Sequence, residues 1–152
     1  MYLIVTRSFP PEIGGMQNLM WGLAKELSKN FMIKVFADHI ENHKDFDEQV
    51  SFSIERVGGI KMLRKYRKAH LINEFISCNK IDSIIADHWK SLEHIKTNKK
   101  RVCLIHGKEI NHKKGSSLNK RILNVFDNVK TIVANSQYTK NLAVEIGVED
   151  NK

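Results

Sequence analysis

Four short segments carry residue types suited to holding a charged or hydroxyl-rich ligand. Glu12-Ile-Gly-Gly15, followed by Met16, places two adjacent glycines immediately before an amphipathic stretch. Glycines let a backbone approach a ligand that a Cβ would exclude. The unpaired N–H groups and positive dipole end of a helix start then favour an anion such as a phosphate. A plain tight turn accounts for the same pair. Asp87-His88-Trp89 joins a carboxylate, an imidazole and an indole. Carboxylates accept hydrogen bonds from hydroxyls, and aromatic faces pack on sugar C–H faces; alternatively, Trp89 starts a helix and packs inward. His106-Gly107-Lys108-Glu109 offers an imidazole able to bond a hydroxyl or a phosphate, although a neighbouring side chain satisfies a lone histidine equally well. Asn135-Ser136 supplies an N-cap for a following helix, and a capping group at a strand end can also face a ligand.

A fifth group is basic. Lys61, Arg64, Lys65 and Lys68 stand at i, i+3, i+4 and i+7, sharing one helix face, with Arg67 nearby. A basic amphipathic stretch of this kind suits an anionic membrane surface or an acceptor anion; a solvated helix face is the other reading. The histidines do not suggest a metal site, because His39 and His43 lack further ligands at suitable spacing and His106 and His112 lack cysteine partners. The G-x-G-x-x-G fingerprint and the P-loop lysine pattern are both absent.

These residues need strands and helices to position them, and the chain alternates the two. Tyr2–Thr6 is a short β-branched run that reads as a buried parallel strand. Met16–Leu27 reads as a helix, residues 31–37 as a strand, residues 38–49 as a polar loop, and Val50–Val57 as a strand with one wetter face near a sheet edge. Lys61–Cys78 reads as a helix with Met62, Tyr66, Ala69 and Ile76 on its apolar side. Ile81–Ala86 is a strand, Ser91–Lys96 a short helix and Arg101–Ile105 a strand. A polar loop over residues 108–117 precedes the helix Leu118–Phe126, the strand Lys130–Ala134 and the helix Ser136–Ile146. Strands joined by helix-length crossovers predict a doubly wound parallel α/β sheet, Rossmann-like, with helices on both faces. In such sheets the ligand lies at the carboxyl ends of the strands, which selects the loops after Thr6, Ala86, Ile105 and Ala134.

The bulk properties agree. A chain of 152 residues, 41% hydrophobic and 28% charged, suits one folded domain spanning residues 1–152. Cys78 and Cys103 both sit in apolar runs and read as buried thiols in a reducing cytosol. No secretory signal is visible, and no segment approaches the ~20 apolar residues of a membrane span. The net charge of +8 favours acidic partners such as nucleotide phosphates, an anionic membrane or nucleic acid, while a lysine-rich composition bias explains it equally well. Aromatic–basic interleaving and a recognition helix are missing, which argues against nucleic acid.

Taken in order, Phe9-Pro-Pro-Glu-Ile-Gly-Gly15, His106-Gly107 and Val133-Ala-Asn-Ser-Gln-Tyr-Thr-Lys140 resemble the N-terminal, acceptor-side half of a family 4 (group 1) glycosyltransferase of GT-B fold. The resemblance spans essentially the whole chain. It implies retaining, metal-independent sugar transfer from a nucleotide-sugar co-substrate to a glycan or lipid-linked acceptor, in surface polysaccharide synthesis at the cytoplasmic face of a membrane. It implies no cofactor. By the same match Gly14, Gly15 and Met16 lie at the donor phosphates or the acceptor, and His106 faces the transferred sugar as the catalytic residue. Glu12, Asp87, His88, Trp89, Gly107, Glu109 and Ser136 line the acceptor side. Stabilising the departing diphosphate is the main electrostatic task. The family's donor-binding domain follows this half, whereas here the sequence closes at Glu149-Asp-Asn-Lys152. The expectation is a domain that folds alone but needs a second domain or partner subunit for transfer. A stand-alone module binding a nucleotide or an anionic surface is the alternative.

Overall fold

The computed structural model describes residues 1–152. Strand β1 (Tyr2–Val5) leads to α1 (Gly15–Ser28), β2 (Ile33–Asp38), α2 (Lys44–Glu48), β3 (Ser53–Val57) and α3 (Lys61–Cys78). Then follow β4 (Ser83–Ala86), α4 (Trp89–Leu92), β5 (Lys100–Ile105), α5 (Ser117–Asp127), β6 (Thr131–Ala134) and α6 (Gln137–Glu145). The six strands form one sheet in the order β3-β2-β1-β4-β5-β6, and every pairing is parallel. This is the doubly wound, Rossmann-like architecture that the alternation predicts.

Central β1 explains its own sequence. It pairs with β2 on one side and β4 on the other, so Leu3, Ile4 and Val5 are wholly buried. A strand covered on both faces has no polar side to present. Leu3, Val5, Phe36, Ile84, Cys103 and Ile105 point into the larger core, shared with residues of α3, α4, α5 and α6. Ile4, Val35 and Ala37 point into a smaller core against Met20 and Ala24 of α1. Edge strand β3 runs from exposed Ser53 through three half-buried residues to buried Val57, wetter than the central strands as its edge position allows.

The structure corrects several details. The polar stretch 38–49 contains α2, pinned by Phe46 against Trp21 with ring centroids 5.1 Å apart. Asp45 and Asp47 in its first turn suit the helix dipole, and Asp47 also pairs with Arg56 at 2.7 Å. A single apolar residue within α2, Phe46, leaves no period to read. Strand β3 begins at Ser53 rather than Val50, and α4 begins at Trp89 rather than Ser91.

The apolar side of α3 is also displaced. Lys68, Ala69 and Ile72 are buried, whereas Met62 and Tyr66 are 82% and 50% exposed. Lys68 bonds the carbonyl of Thr6 at the end of β1, so the turns preceding it lie toward the sheet's carboxyl edge, where Met62 and Tyr66 stay largely exposed. Cys78, in the last turn, is exposed, contrary to expectation; Cys103 is buried, and burial pushes its thiol far above the usual range.

Phe36 is fully buried and meets Phe75 edge-on at 5.7 Å. Phe36→Ala is expected to lower the unfolding free energy by about 3–5 kcal/mol in urea denaturation. Met62→Ala, at the uncovered start of α3, is expected to change it by no more than about 0.5 kcal/mol.

Candidate functional site

Because β1, β4, β5 and β6 lie side by side, the segments that follow them line one edge of the sheet in that order. The glycine loop, Asp87-His88, His106-Gly107 and Asn135-Ser136 are therefore neighbours in space. With about 4.8 Å between strands, the ends of β1 and β5 are about 10 Å apart.

The loop after β1 delivers Gly14 in extended backbone, and α1 starts at Gly15. No side chain caps this helix and its first turn holds no acidic residue. Its leading N–H groups thus face outward with the positive end of the dipole. A Cβ on Gly15 would meet nothing within 4 Å, and one on Gly14 would meet only the Gln17 side chain. Gln17 donates to Glu12 at 3.4 Å, which places the exposed Glu12 beside the same helix start. Met16 is half-buried and packs on the smaller core, so its backbone rather than its side chain serves the loop.

Asp87 does not offer a free carboxylate. It is buried, and Oδ2 accepts from Thr6 Oγ1 at 2.6 Å and from the Arg7 N–H at 3.1 Å. Oδ1 accepts from Ser91 Oγ at 3.1 Å. Its role is to lock the loop after β1 to the start of α4. Trp89 is fully buried, and its indole N–H donates to the Glu109 carbonyl at 3.0 Å. It is no wall for a sugar: starting the helix and packing inward is what it does. His88 caps α4, its Nδ1 accepting from the Lys90 N–H at 3.0 Å. Burial, together with the nearby charges of Arg7, Lys90 and His106, pushes its pKa down to about 4.

Glu109 accepts from the backbone N–H of His106 at 2.6 Å, which fixes the turn after β5. Gly107 has φ +103°, a conformation that side-chain-bearing residues rarely adopt, and a Cβ there would press on Thr139 Oγ1 at 3.3 Å. The His106 imidazole is left with its Nε2 buried and unpartnered. An orphaned buried polar atom costs free energy unless a ligand supplies the bond. Ser136 caps α6, accepting from the Thr139 N–H at 3.2 Å, as its sequence position predicts.

The basic face of α3 is not a simple solvated stripe. Lys68 is buried: it donates to the Thr6 carbonyl at 2.6 Å and pairs with Asp38. Desolvation lowers its pKa, and the Asp38 carboxylate opposes that shift. Arg64 bonds Asp38 at 3.2 Å and the Gly59 carbonyl at 3.2 Å. Arg67 bonds the Gly58 carbonyl at 3.1 Å, and Lys65 reaches Glu93 at 3.4 Å. Of the five, Lys61 alone has no protein partner. Sequence reasoning missed Asp38, Arg7 and Arg121 beside this helix. Asp38 ends β2 at the same carboxyl edge, so the strand-end rule extended to β2 would have found it. Arg121 comes from α5, and no local pattern signals it.

The depressed pKa of His88 has a measurable consequence. The unfolded chain takes up this proton near pH 6.5, while the folded chain resists it down to about pH 4. Stability from this group is therefore complete above pH 6.5 and is lost as the pH falls toward 4. Urea unfolding is expected to show about 2 kcal/mol more loss between pH 7 and pH 5 in the parent than in His88→Asn, which keeps a capping side chain.

Residues 13–152 match the family described as Glycosyltransferase Family 4. No curated protein matches. Among solved structures, Anabaena Alr3699/HepE in complex with UDP superposes with a TM-score of 0.69 at 18% identity, covering 98% of this chain and 41% of that one. The same protein with UDP-glucose gives a TM-score of 0.68 at 16% identity, covering 99% of this chain and 42% of that one. With UDP and glucose it gives 0.68 at 15% identity and the same coverage. The likeness is one of fold, and the chain spans about two-fifths of the length of these structures. With most of its length matched to the family, the chain belongs to Glycosyltransferase Family 4.

Proposed function

We propose that this chain is the acceptor-side half of a retaining glycosyltransferase that moves a sugar from a nucleotide-sugar to a glycan or lipid-linked acceptor, without a metal, in surface polysaccharide synthesis. The observation that carries this reading is the buried, unpartnered His106 Nε2 at the carboxyl end of β5. It lies on the same sheet edge as the uncapped, side-chain-free start of α1. The first group suits a sugar hydroxyl next to the reacting carbon. The second suits a phosphate of the donor, or the acceptor itself. The complexes of HepE with UDP and UDP-glucose support a nucleotide-sugar donor. The coverage of about two-fifths of those chains supports a second, donor-binding domain, on the same polypeptide or on a partner subunit, that completes the cleft.

In this scheme the bond between the sugar's anomeric carbon and the diphosphate breaks, an acceptor hydroxyl oxygen takes the sugar, and the hydroxyl's proton passes to the departing diphosphate. Donors aimed at the developing negative charge lower the barrier more than the ground state. In this reading the N–H groups at Gly15 and Met16, on an uncapped helix start, are the donors for that charge. His106 would bond the sugar and hold its orientation. Asp87 and Glu109 act as positioning residues through the backbone of Arg7 and of His106.

Peripheral attachment to the inner face of an anionic membrane belongs to the same proposal. No helix here is long and apolar enough to cross a membrane. Ile60, Met62 and Leu63 are 69%, 82% and 53% exposed beside Lys61 at the start of α3, an apolar and basic surface suited to a lipid interface. The stand-alone module reading rests on this surface too, and it differs in needing no second domain.

The test is sugar transfer by the complete enzyme, the second domain included, with nucleotide-sugars as donors. His106→Ala is expected to lower kcat about 100-fold or more, as loss of a transition-state hydrogen bond does, while UDP affinity changes little. Residues 1–152 alone are expected to give no turnover. Undiminished transfer by His106→Ala, or full turnover by residues 1–152, would overturn the reading.

A further inference from the structure

Between α3, the loop after β1 and the start of α4 lies a cleft of about 370 Å³. Its floor is the Lys68–Asp38 pair, and Asp38 is the single carboxylate in its lining. Around it stand Arg7, Lys61, Arg64, Lys65, Lys90 and Arg121. Asp38 also holds Arg64, and Glu93, just outside the lining, pairs with Lys65 and Arg121. Burial pushes Glu93 up, but Arg121 and Lys65 more than offset this, and it stays ionised below the usual carboxylate range. After these pairings Arg7, Lys61 and Lys90 remain with no carboxylate partner.

These three cations come from three different elements and converge on one concavity. Like charges held together in this way repel and gain nothing from one another, and a concave, partly desolvated wall strengthens their joint field. The pairings with Glu93 and Asp38 hold the surrounding cations in place in advance of any ligand. The Arg7 N–H bonds Asp87 and the Lys90 N–H bonds His88, both on the segment after β4, so the cleft opens beside the edge that carries His106.

We propose that this cleft binds a phosphate or diphosphate group carried by the acceptor, distinct from the phosphates of the donor. The size and the three unmatched charges suit a diphosphate better than a single carboxylate. Arg7 supplies a planar fork for two phosphate oxygens, and Lys61 and Lys90 supply point charges. The assignment of the anion to the acceptor rests on the transferase reading; the anion site itself does not.

The probe is inorganic pyrophosphate, titrated calorimetrically into the protein in low salt, with inorganic phosphate for comparison. One saturable site is expected, at least tenfold tighter for pyrophosphate than for phosphate and weaker in higher salt. Arg7→Ala, Lys61→Ala and Lys90→Ala should each weaken it about fivefold or more, with unchanged urea midpoints, while Lys25→Ala on α1 leaves it unchanged. Absence of saturable binding overturns the proposal. So does binding that falls in Gly15→Asp but not in the three cleft variants, since the anion then sits at the start of α1. Sedimentation with phosphatidic acid vesicles separates two sources of the group. Vesicle binding displaced by pyrophosphate and lost in the cleft variants assigns a lipid headgroup, and pyrophosphate binding without vesicle binding assigns a soluble acceptor. Pyrophosphate binding in an enzyme that transfers no sugar would sink the transferase reading and leave the anion site standing. Transfer whose acceptor KM is unmoved in Arg7→Ala and Lys90→Ala would overturn the assignment of the anion to the acceptor and leave the transferase reading standing.

Discussion

Two ionised side chains are buried at the carboxyl edge of the sheet, Lys68 and Asp87, and the site depends on how each is satisfied. Lys68 is bound by the Thr6 carbonyl and by Asp38 at the end of β2. Asp87 is bound by the Thr6 hydroxyl, the Arg7 N–H and Ser91. Thr6 is common to both. An unpaired charge at either position would carry a desolvation penalty of several kcal/mol, so removal of one partner leaves the other exposed to the full cost. The arrangement joins the ends of β1, β2 and β4 to α3 and α4 through one residue of the central strand. Its value lies in geometry: buried pairs of this kind add little net stability, yet they permit few alternative placements of the loops they hold.

From that knot the rest of the edge follows. With Asp87 occupied, the loop after β1 leaves the sheet in a fixed direction and brings Gly14 and Gly15 to the start of α1. His88, capping α4, is held neutral by burial and by the cations around it. A neutral imidazole there adds no positive charge next to His106. Glu109 accepts from the backbone of His106 and its own carbonyl takes the Trp89 indole N–H, linking the turn after β5 to α4. Thus the side chains that look chemically active in the sequence divide into two kinds. Asp87, Trp89, Glu109 and Ser136 build the scaffold. The uncapped helix start at the two glycines, the cations without a carboxylate and the buried, unpartnered His106 Nε2 are left over.

This division marks what the sequence could and could not disclose. The strand order and the ligand edge were legible, because apolar strand runs alternate with helix-length segments and the carboxyl-end rule needs only their order. The edge position of β3 was legible from its wetter face. Short α2 was not, because a helix held by one phenylalanine and one ion pair has no period of its own. The orientation of α3 was misread for a related reason. Met62 and Tyr66 fit a helical stripe, but the helix overhangs the sheet there, and a lysine takes a core position because Asp38 lies 30 residues earlier in the chain. A stripe of apolar residues says which face is apolar; it does not say how far the partner surface extends. Likewise Asp87 and Trp89 carry the right chemistry for a sugar pocket, and only burial shows that both are committed to neighbours.

The same reasoning relates the net charge of +8 to the site. Much of the surface charge is locally cancelled, as in Lys29 with Glu26, Lys34 with Glu55 and Lys140 with Asp150. A second basic group, around Lys99, Lys100 and Lys130, lies with Asp127 and Glu149 among its members. The cleft at the carboxyl edge is different: its lining holds one carboxylate, and that carboxylate already serves Lys68 and Arg64. A concave surface of low dielectric concentrates the potential of the remaining cations, whereas exposed charges elsewhere are screened beyond about 8–10 Å at ordinary ionic strength. The excess of lysine and arginine that composition alone leaves ambiguous thus has its strongest effect where α3, the loop after β1 and α4 meet, next to the edge that carries His106. A ligand drawn there by charge would reach the fixed groups of the site already oriented by its anionic end.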